Sequence, residues 1–318
     1  MTKKYTSIVL SALIGIGLLA PAEAAPRVVV SVAPVQALVA SIMAGVGTPR
    51  LLVPSGASPH VYALRPSDAR ALEAADVIVL IDPSFETFLA RPLASLAGRA
   101  RVVRVADLPG VQKYPARSAG SWTTHEAYEA HEAHEVHDTA HDHDHDHDHD
   151  FDPHLWLDPA NARRIGAATA TVLTELDPAN ATVYQRNAQA LEETLTTLDE
   201  TLRRELAPVA RRPFVVFHDA YQYLEVRYGL TSVGAITVAP ERPPGARRLA
   251  ALREQMRTAG VVCIFREPQF PPRLVKILTE GTGVRVGLLD PLGHPDGYVA
   301  MMQANAHALR TCLAPEQQ

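Results

Sequence analysis

The sequence predicts an α/β fold of two lobes, each with a mainly parallel four-stranded sheet flanked by helices, joined by a long rigid linking helix. Three observations predict it. Short β-branched runs alternate with helical stretches in two separate blocks of the chain, and one long amphipathic stretch lies between the blocks. The roughly 290 residues that follow an N-terminal export signal suffice for two cores.

In the first block, Arg27 to Ala33, Arg50 to Val53, Val77 to Ile81 and Arg101 to Val105 read as buried strands. Val35 to Ala44 and Ser67 to Ala75 read as helices between them. Asp158-Pro159 has the chemistry of an N-cap and first helical position for a helix through Arg163 to Leu176. Asp177 and Pro178 repeat that signal, followed by an apolar stripe at Leu191, Leu195, Leu198, Leu202 and Leu206 that runs to Pro208. At 1.5 Å per residue such a helix is about 45 Å long, enough to brace two small lobes. A core helix of one lobe is the alternative, since the stripe alone does not say what it packs on. In the second block the strands are Pro213 to Phe217, Thr231 to Ile236, Val261 to Phe265 and Val284 to Leu289. Helices are expected over Gly245 to Ala259, over Pro272 to Thr279 and at the C-terminus. The expected organisation is therefore a signal at 1–24, an N-terminal lobe at 25–178, a linking helix at 179–208 and a C-terminal lobe at 209–318.

Lys3 and Lys4 precede an apolar run from Ile8 to Ala20, and Ala22-Glu-Ala24 supplies a small-x-small cleavage site. That is the pattern of a secretory signal peptide, and the run is too short for a membrane span. With no cysteine at the cleavage site for a lipid anchor, the expected location is the periplasm. Removing Lys3, Lys4 and Glu23 takes away a net +1, so the formal charge moves from −5 to −6, which does not suit a nucleic-acid binder. Cys263 and Cys312 are the two cysteines, an even number in an exported chain, and predict one disulfide pinning the C-terminal helix to a strand.

Nine of the fourteen histidines, His125, His131, His134, His137, His141, His143, His145, His147 and His149, alternate with acids in a tract that ends at Asp150. Imidazoles interleaved with carboxylates suit zinc, nickel or copper better than calcium or magnesium. The segment has no Lys or Arg from Ser118 to Ala162 and few large aliphatic residues before Phe151, so a disordered loop is expected at about 115–150.

Five histidines remain. His60 lies in a turn-rich loop after the second strand, His154 lies between two Asp-Pro pairs, and His218 ends the strand Phe214-Val-Val-Phe-His218. Ligands of open α/β sheets gather beyond the carboxyl ends of strands, which makes these three the candidate metal ligands. His294 reads as a surface residue, and His307 as structural or solvated in the last helix.

Gly56-Ala-Ser-Pro-His60-Val-Tyr-Ala-Leu-Arg-Pro-Ser-Asp68, His154-Leu-Trp-Leu-Asp-Pro159 and Val216-Phe-His218-Asp-Ala-Tyr221 resemble the ZnuA family of periplasmic zinc-binding proteins of bacterial ABC importers, within the cluster A-I metal-binding proteins. Glu267-Pro-Gln-Phe270 and Leu289-Asp-Pro-Leu-Gly293 are similar to the same family, so that the resemblance runs in order along nearly the whole mature chain. It implies a Zn(II) ion in the cleft between the lobes, held by His60, His154 and His218, and the disulfide Cys263–Cys312. It also implies capture and delivery to an inner-membrane permease with its cytoplasmic ATPase, by a monomer and without catalysis. Some members carry Glu just before the first histidine. Here that position is Pro59, which leaves the fourth place to water, to a tract histidine or to Asp290, the family position that completes the site in some relatives.

Three nitrogens with one oxygen favour tetrahedral zinc, whereas two histidines with two carboxylates would favour manganese or iron. A receptor for manganese or another divalent metal is the alternative within the same fold. From a different class, a secreted zinc hydrolase also needs three histidines and an open position, and Glu267 is the acid to test as its general base. No His-Glu-x-x-His motif supports it. A surface adhesin is a third alternative, disfavoured by the missing lipid anchor.

Overall fold

The computed structural model describes residues 24–96, 98–117, 151–238, 240 and 244–315. Residues 1–23 of the proposed signal and the histidine tract lie outside these residues.

The first sheet contains β1 (Val28–Val30), β2 (Arg50–Leu51), β3 (Val77–Leu80) and β4 (Arg101–Arg104), all parallel in the order β2-β1-β3-β4. Helices α1 (Ala33–Met43), α2 (Pro66–Ala74) and α3 (Thr87–Leu96) connect them. After α4 (Pro159–Leu176) and α5 (Ala181–Leu206) comes a second sheet of β5 (Phe214–His218), β6 (Ser232–Thr237), β7 (Cys263–Arg266) and β8 (Arg285–Leu288). Its order, β6-β5-β7-β8, repeats that of the first, again with parallel pairing throughout. Helices α6 (Gln222–Tyr228), α7 (Ala246–Thr258) and α8 (Arg273–Thr279) lie within this lobe, and α9 (Tyr298–Leu313) closes the chain.

Residues of the central strands β1, β3, β5 and β7 are largely apolar and buried because both faces are covered, whereas the edge strands β4 and β8 leave Val102, Val286 and Leu288 exposed. Val77 and Val79 point into a core that extends through both lobes, while Ile78 and Leu80 face a separate outer cluster with Val29, Leu72 and Leu89. Phe214 and Val216 join the same shared core, and Val215 and Phe217 face an outer cluster with Leu252 and Met256. The period of two along each strand thus divides its side chains between an inter-lobe layer and an outer layer.

The leucine stripe of α5 belongs to that shared core. Leu191, Leu195, Leu198, Leu202 and Leu206 are buried, and α5 packs on α1 and α4 on the N-terminal side and on α9 and α6 on the other. A helix of 26 residues is about 39 Å long, and contacts along its length with both lobes fit the bracing reading. Gly166 on α4 permits the close approach, since a Cβ there would lie 2.8 Å from Leu191 Cδ2. Asp158 caps α4 by accepting from Ala160 N at 2.7 Å. Asp177 makes no such cap: its carboxylate accepts from the Asn180 side-chain amide at 2.7 Å and the Tyr184 hydroxyl at 2.8 Å, and a short 3-10 turn at Pro178–Asn180 precedes α5.

Cys263 on β7 and Cys312 on α9 form the disulfide, with Cα atoms 6.0 Å apart. Two helices escape the sequence reading: α3 carries Pro92 in its interior, which argues against a helix there, and α6 has only seven residues, too few to show a sustained 3.6-residue period. Residues 115–117, at the start of the expected loop, are tied to the fold. Pro115 bridges Phe151 in antiparallel fashion, Asp152 N donates to Tyr114 O, and Arg117 forms buried ion pairs with the second lobe. Among the described residues no helix is long and apolar enough to cross a membrane.

Candidate metal centre

The repeated strand order creates a crevice at the carboxyl ends of the central strands of each sheet, where neighbouring connections leave in opposite directions. Three histidines reach this region by different local routes. His60 lies in a one-turn 3-10 helix, Pro59–Val61, set up by Pro59 after β2. His154 precedes a similar turn, Leu155–Leu157, whose Trp156 is wholly buried and donates from Nε1 to Pro291 O in the other lobe. His218 is the last residue of β5.

One nitrogen of each of His60, His154 and His218 lies within 4.8 Å of the others. The ring centroids are 5.1 Å apart for His154 and His218 and 5.7 Å for His60 with either. Phe85 meets His60 edge-on at 5.1 Å, Trp156 meets His154 at 5.3 Å and Phe270 meets His218 at 5.8 Å, giving the cluster an apolar wall.

Two of the rings are held from behind by buried carboxylates. Asp152 Oδ1 accepts from His154 N at 2.9 Å and lies 2.8 Å from His154 Nδ1. Glu267 places its oxygens 2.7 and 2.6 Å from His218 Nδ1. An ionised carboxylate only accepts, so Nδ1 carries the hydrogen in both rings and each Nε2 presents a lone pair. Those two Nε2 atoms face each other at 3.3 Å. Lone pairs at that distance repel unless a cation lies between them. Two nitrogens bound to one zinc at 2.0–2.1 Å with a tetrahedral angle lie about 3.3–3.4 Å apart, so the spacing suits zinc.

Burial pushes the imidazolium of His218 down, but Glu267, with Asp219 and Asp152, outweighs it and leaves the pKa above the ordinary histidine value. The surroundings therefore favour positive charge at this point, whether proton or metal.

Asp290 does not join the converging trio. Its Oδ1 accepts from Gln269 Nε2 at 2.8 Å and Leu292 N at 2.9 Å, and Asn305 pairs with its backbone. Asp290, His294 and His307 instead line a groove of about 810 Å³ beside β8 and α9. His294 Nδ1 accepts from Asp296 N there, and His307 lies 3.5 Å from Arg310. Glu267, the acid a hydrolytic reading would need as its base, is wholly buried with both oxygens on an imidazole. The nine tract histidines lie outside the described residues. Sequence reasoning missed Asp152 as a partner of His154, although an acid two residues before a candidate ligand in an Asx-type turn was a usable signal.

The family model for the zinc-uptake complex component A, periplasmic, matches residues 28–312. The chain is 44% identical over 305 residues to the high-affinity zinc uptake system protein ZnuA of Brucella suis, covering 90% of this chain and 91% of that protein. It is 38% identical over 322 residues to the protein of the same name from Paracoccus denitrificans, with 98% and 99% covered. Its fold matches the crystal structure of a zinc-bound ZnuA deletion mutant with a TM-score of 0.75 at 24% identity, over 92% of this chain and all of that one. On the extent of the family match and the identity to these relatives, the chain belongs to the ZnuA family.

Proposed function

We propose that the protein is a high-affinity periplasmic receptor that captures Zn(II) in the cleft between its lobes and delivers it to an inner-membrane ABC permease with its cytoplasmic ATPase. The observation that carries this reading is the pair of carboxylate-backed imidazoles whose Nε2 lone pairs face each other at 3.3 Å, with His60 in reach. His60, His154 and His218 supply three nitrogen donors from three segments, two in the N-terminal lobe and one in the other. Zinc here is cargo. The fourth position falls to water, Asp290 or a tract histidine, and a nitrogen-rich set favours zinc over manganese. Relatives named for zinc uptake, matched along nine-tenths or more of their length, support the transport role, and the sequence of residues 1–24 supports export to the periplasm.

Bound zinc draws the three segments together and shifts the population toward a closed form that the permease recognises. The histidine tract serves as an auxiliary metal store, for delivery inward, for buffering or for sensing. Uptake of radioactive zinc by zinc-starved cells lacking the gene tests the reading. Restoration by the wild-type chain and not by His218→Ala is expected; restoration by both would sink the proposed site.

A further inference from the structure

We infer that Arg117 is a positioning residue for the metal centre, clasping the loop that carries His218 to the last described residues before the histidine tract. The inference rests on the reading that His60, His154 and His218 hold zinc.

Arg117 Nε donates to Asp219 Oδ2 at 3.0 Å, and its Nη2 donates to Asp219 Oδ1. Nη1 donates to Glu225 Oε2 at 2.8 Å. One guanidinium thus forks onto one carboxylate and reaches a second, a geometry that lysine cannot reproduce. The side chains are 18%, 6% and 7% exposed for Arg117, Asp219 and Glu225, so this is an interior ion-pair cluster, not a surface contact. Its members are 102 and 108 residues apart in sequence.

The position of the clasp gives it a role beyond packing. Asp219 is peptide-bonded to His218, and Ala220 N donates to His218 O to close the turn. Glu225 lies on α6, the helix that opens just after this turn. Releasing Asp219 therefore frees the backbone at the point where the imidazole must stay aligned with Glu267. The same seam serves a second ligand. Tyr114 N donates to the Tyr223 hydroxyl at 3.3 Å, and that hydroxyl donates to Asp152 O at 2.8 Å. Asp152 is the residue that holds His154. The chain on both sides of the tract is thereby tied to α6, and through it to two of the three imidazoles.

A merely structural ion pair would affect stability and leave the metal's coordination alone. The test uses the full chain and reads zinc affinity by chelator competition, the visible absorption of the cobalt(II) form, and thermal unfolding without metal. Arg117→Ala is expected to weaken zinc binding by about tenfold or more, the range for losing a group that orients a ligand, and to change the cobalt spectrum. Because Arg117→Ala strands two buried carboxylates, the charge-free R117Q/D219N/E225Q variant is measured beside it. It is expected to fold and to show the same loss. Arg117→Lys keeps the charge without the fork and should resemble Arg117→Ala. A folded charge-free variant with wild-type affinity and spectrum, or full recovery by lysine, would overturn the clasp. If zinc binding survived replacement of His60, His154 and His218 by Ala, the metal reading would fail instead.

Discussion

Each sheet buries one glutamate at the carboxyl ends of its two central strands, and the two glutamates do different things. In the N-terminal lobe, Glu86 accepts from Ser31 Oγ just beyond β1 and from the backbone N–H groups of Ile81 and Asp82 just beyond β3. In the C-terminal lobe, Glu267 follows β7 and faces Nδ1 of His218 at the end of β5. The strand order is the same, so topology delivers a carboxylate to the same place twice. What differs is the partner. Backbone donors and the Ser31 hydroxyl satisfy Glu86 and tie two strand ends together, whereas Glu267, which also accepts from His218 N, turns both oxygens to an imidazole and so passes its charge on to the candidate metal centre.

The lobes also differ in reinforcement, and the largest expected effect lies there. Only the C-terminal lobe has a disulfide, which closes a loop of 49 residues. Replacing Cys263 and Cys312 by Ala should destabilise the protein by about 4 kcal/mol in the loop-entropy picture, read by thermal unfolding. A change well under about 1 kcal/mol would mean that the shared core alone holds α9 in place.

The second prediction concerns Glu86, whose carboxyl burial pushes up to about 7 from an ordinary 4.5. Below the lower value both folded and unfolded states hold the proton, and above the upper value neither does. Between them the folded state holds more, so stability should fall as pH rises through that window, by about 3 kcal/mol in total. Glu86→Gln should flatten that slope. It should leave zinc affinity within a factor of about three, since no imidazole hangs on this carboxylate.

Glu267→Gln should do the reverse, weakening zinc binding by about 10- to 100-fold as an orienting carboxylate is lost. Equal losses of zinc affinity in the two glutamate variants would break the comparison. The smallest effect sharpens it. The raised pKa of the metal-free His218 means that protons begin to compete with zinc for its ring above the ordinary histidine pKa as the medium is acidified. Removing the Glu267 charge makes the imidazolium less favourable, so the acid limb of zinc binding in Glu267→Gln should move to lower pH, by about one unit or less. Movement in the opposite direction would show that Glu267 is not the group that sets it.

Much of the fold was legible in the sequence because a parallel sheet with both faces covered writes itself as continuous apolar runs. All eight strand positions follow from such runs, although β1 ends at Val30 and α1 already begins at Ala33 where Arg27 to Ala33 reads as strand, and β2 ends at Leu51 while Leu52 N and Val53 N still donate to Val30 O and Ser31 O. The cap at Asp158 was a local signal and therefore readable, whereas the same signal at Asp177 precedes a short 3-10 turn and makes no capping bond. The three histidines were readable too, since each sits at a loop or strand end. Their supports were less so. Glu267 lies 49 residues from His218, and Arg117 lies more than a hundred from Asp219 and Glu225, separations over which no period or motif carries information. Asp290 stands in a family-like segment, yet the local bonds from Gln269 and Leu292 engage its carboxylate outside the trio.

The most direct test of the central claim is a calorimetric zinc titration of the chain lacking residues 125–150, beside the same chain with His60, His154 and His218 changed to Ala. One tight equivalent that disappears in the triple variant is the predicted result. Loss of tight binding on removing the tract alone, or tight binding that persists without the three histidines, would contradict the account.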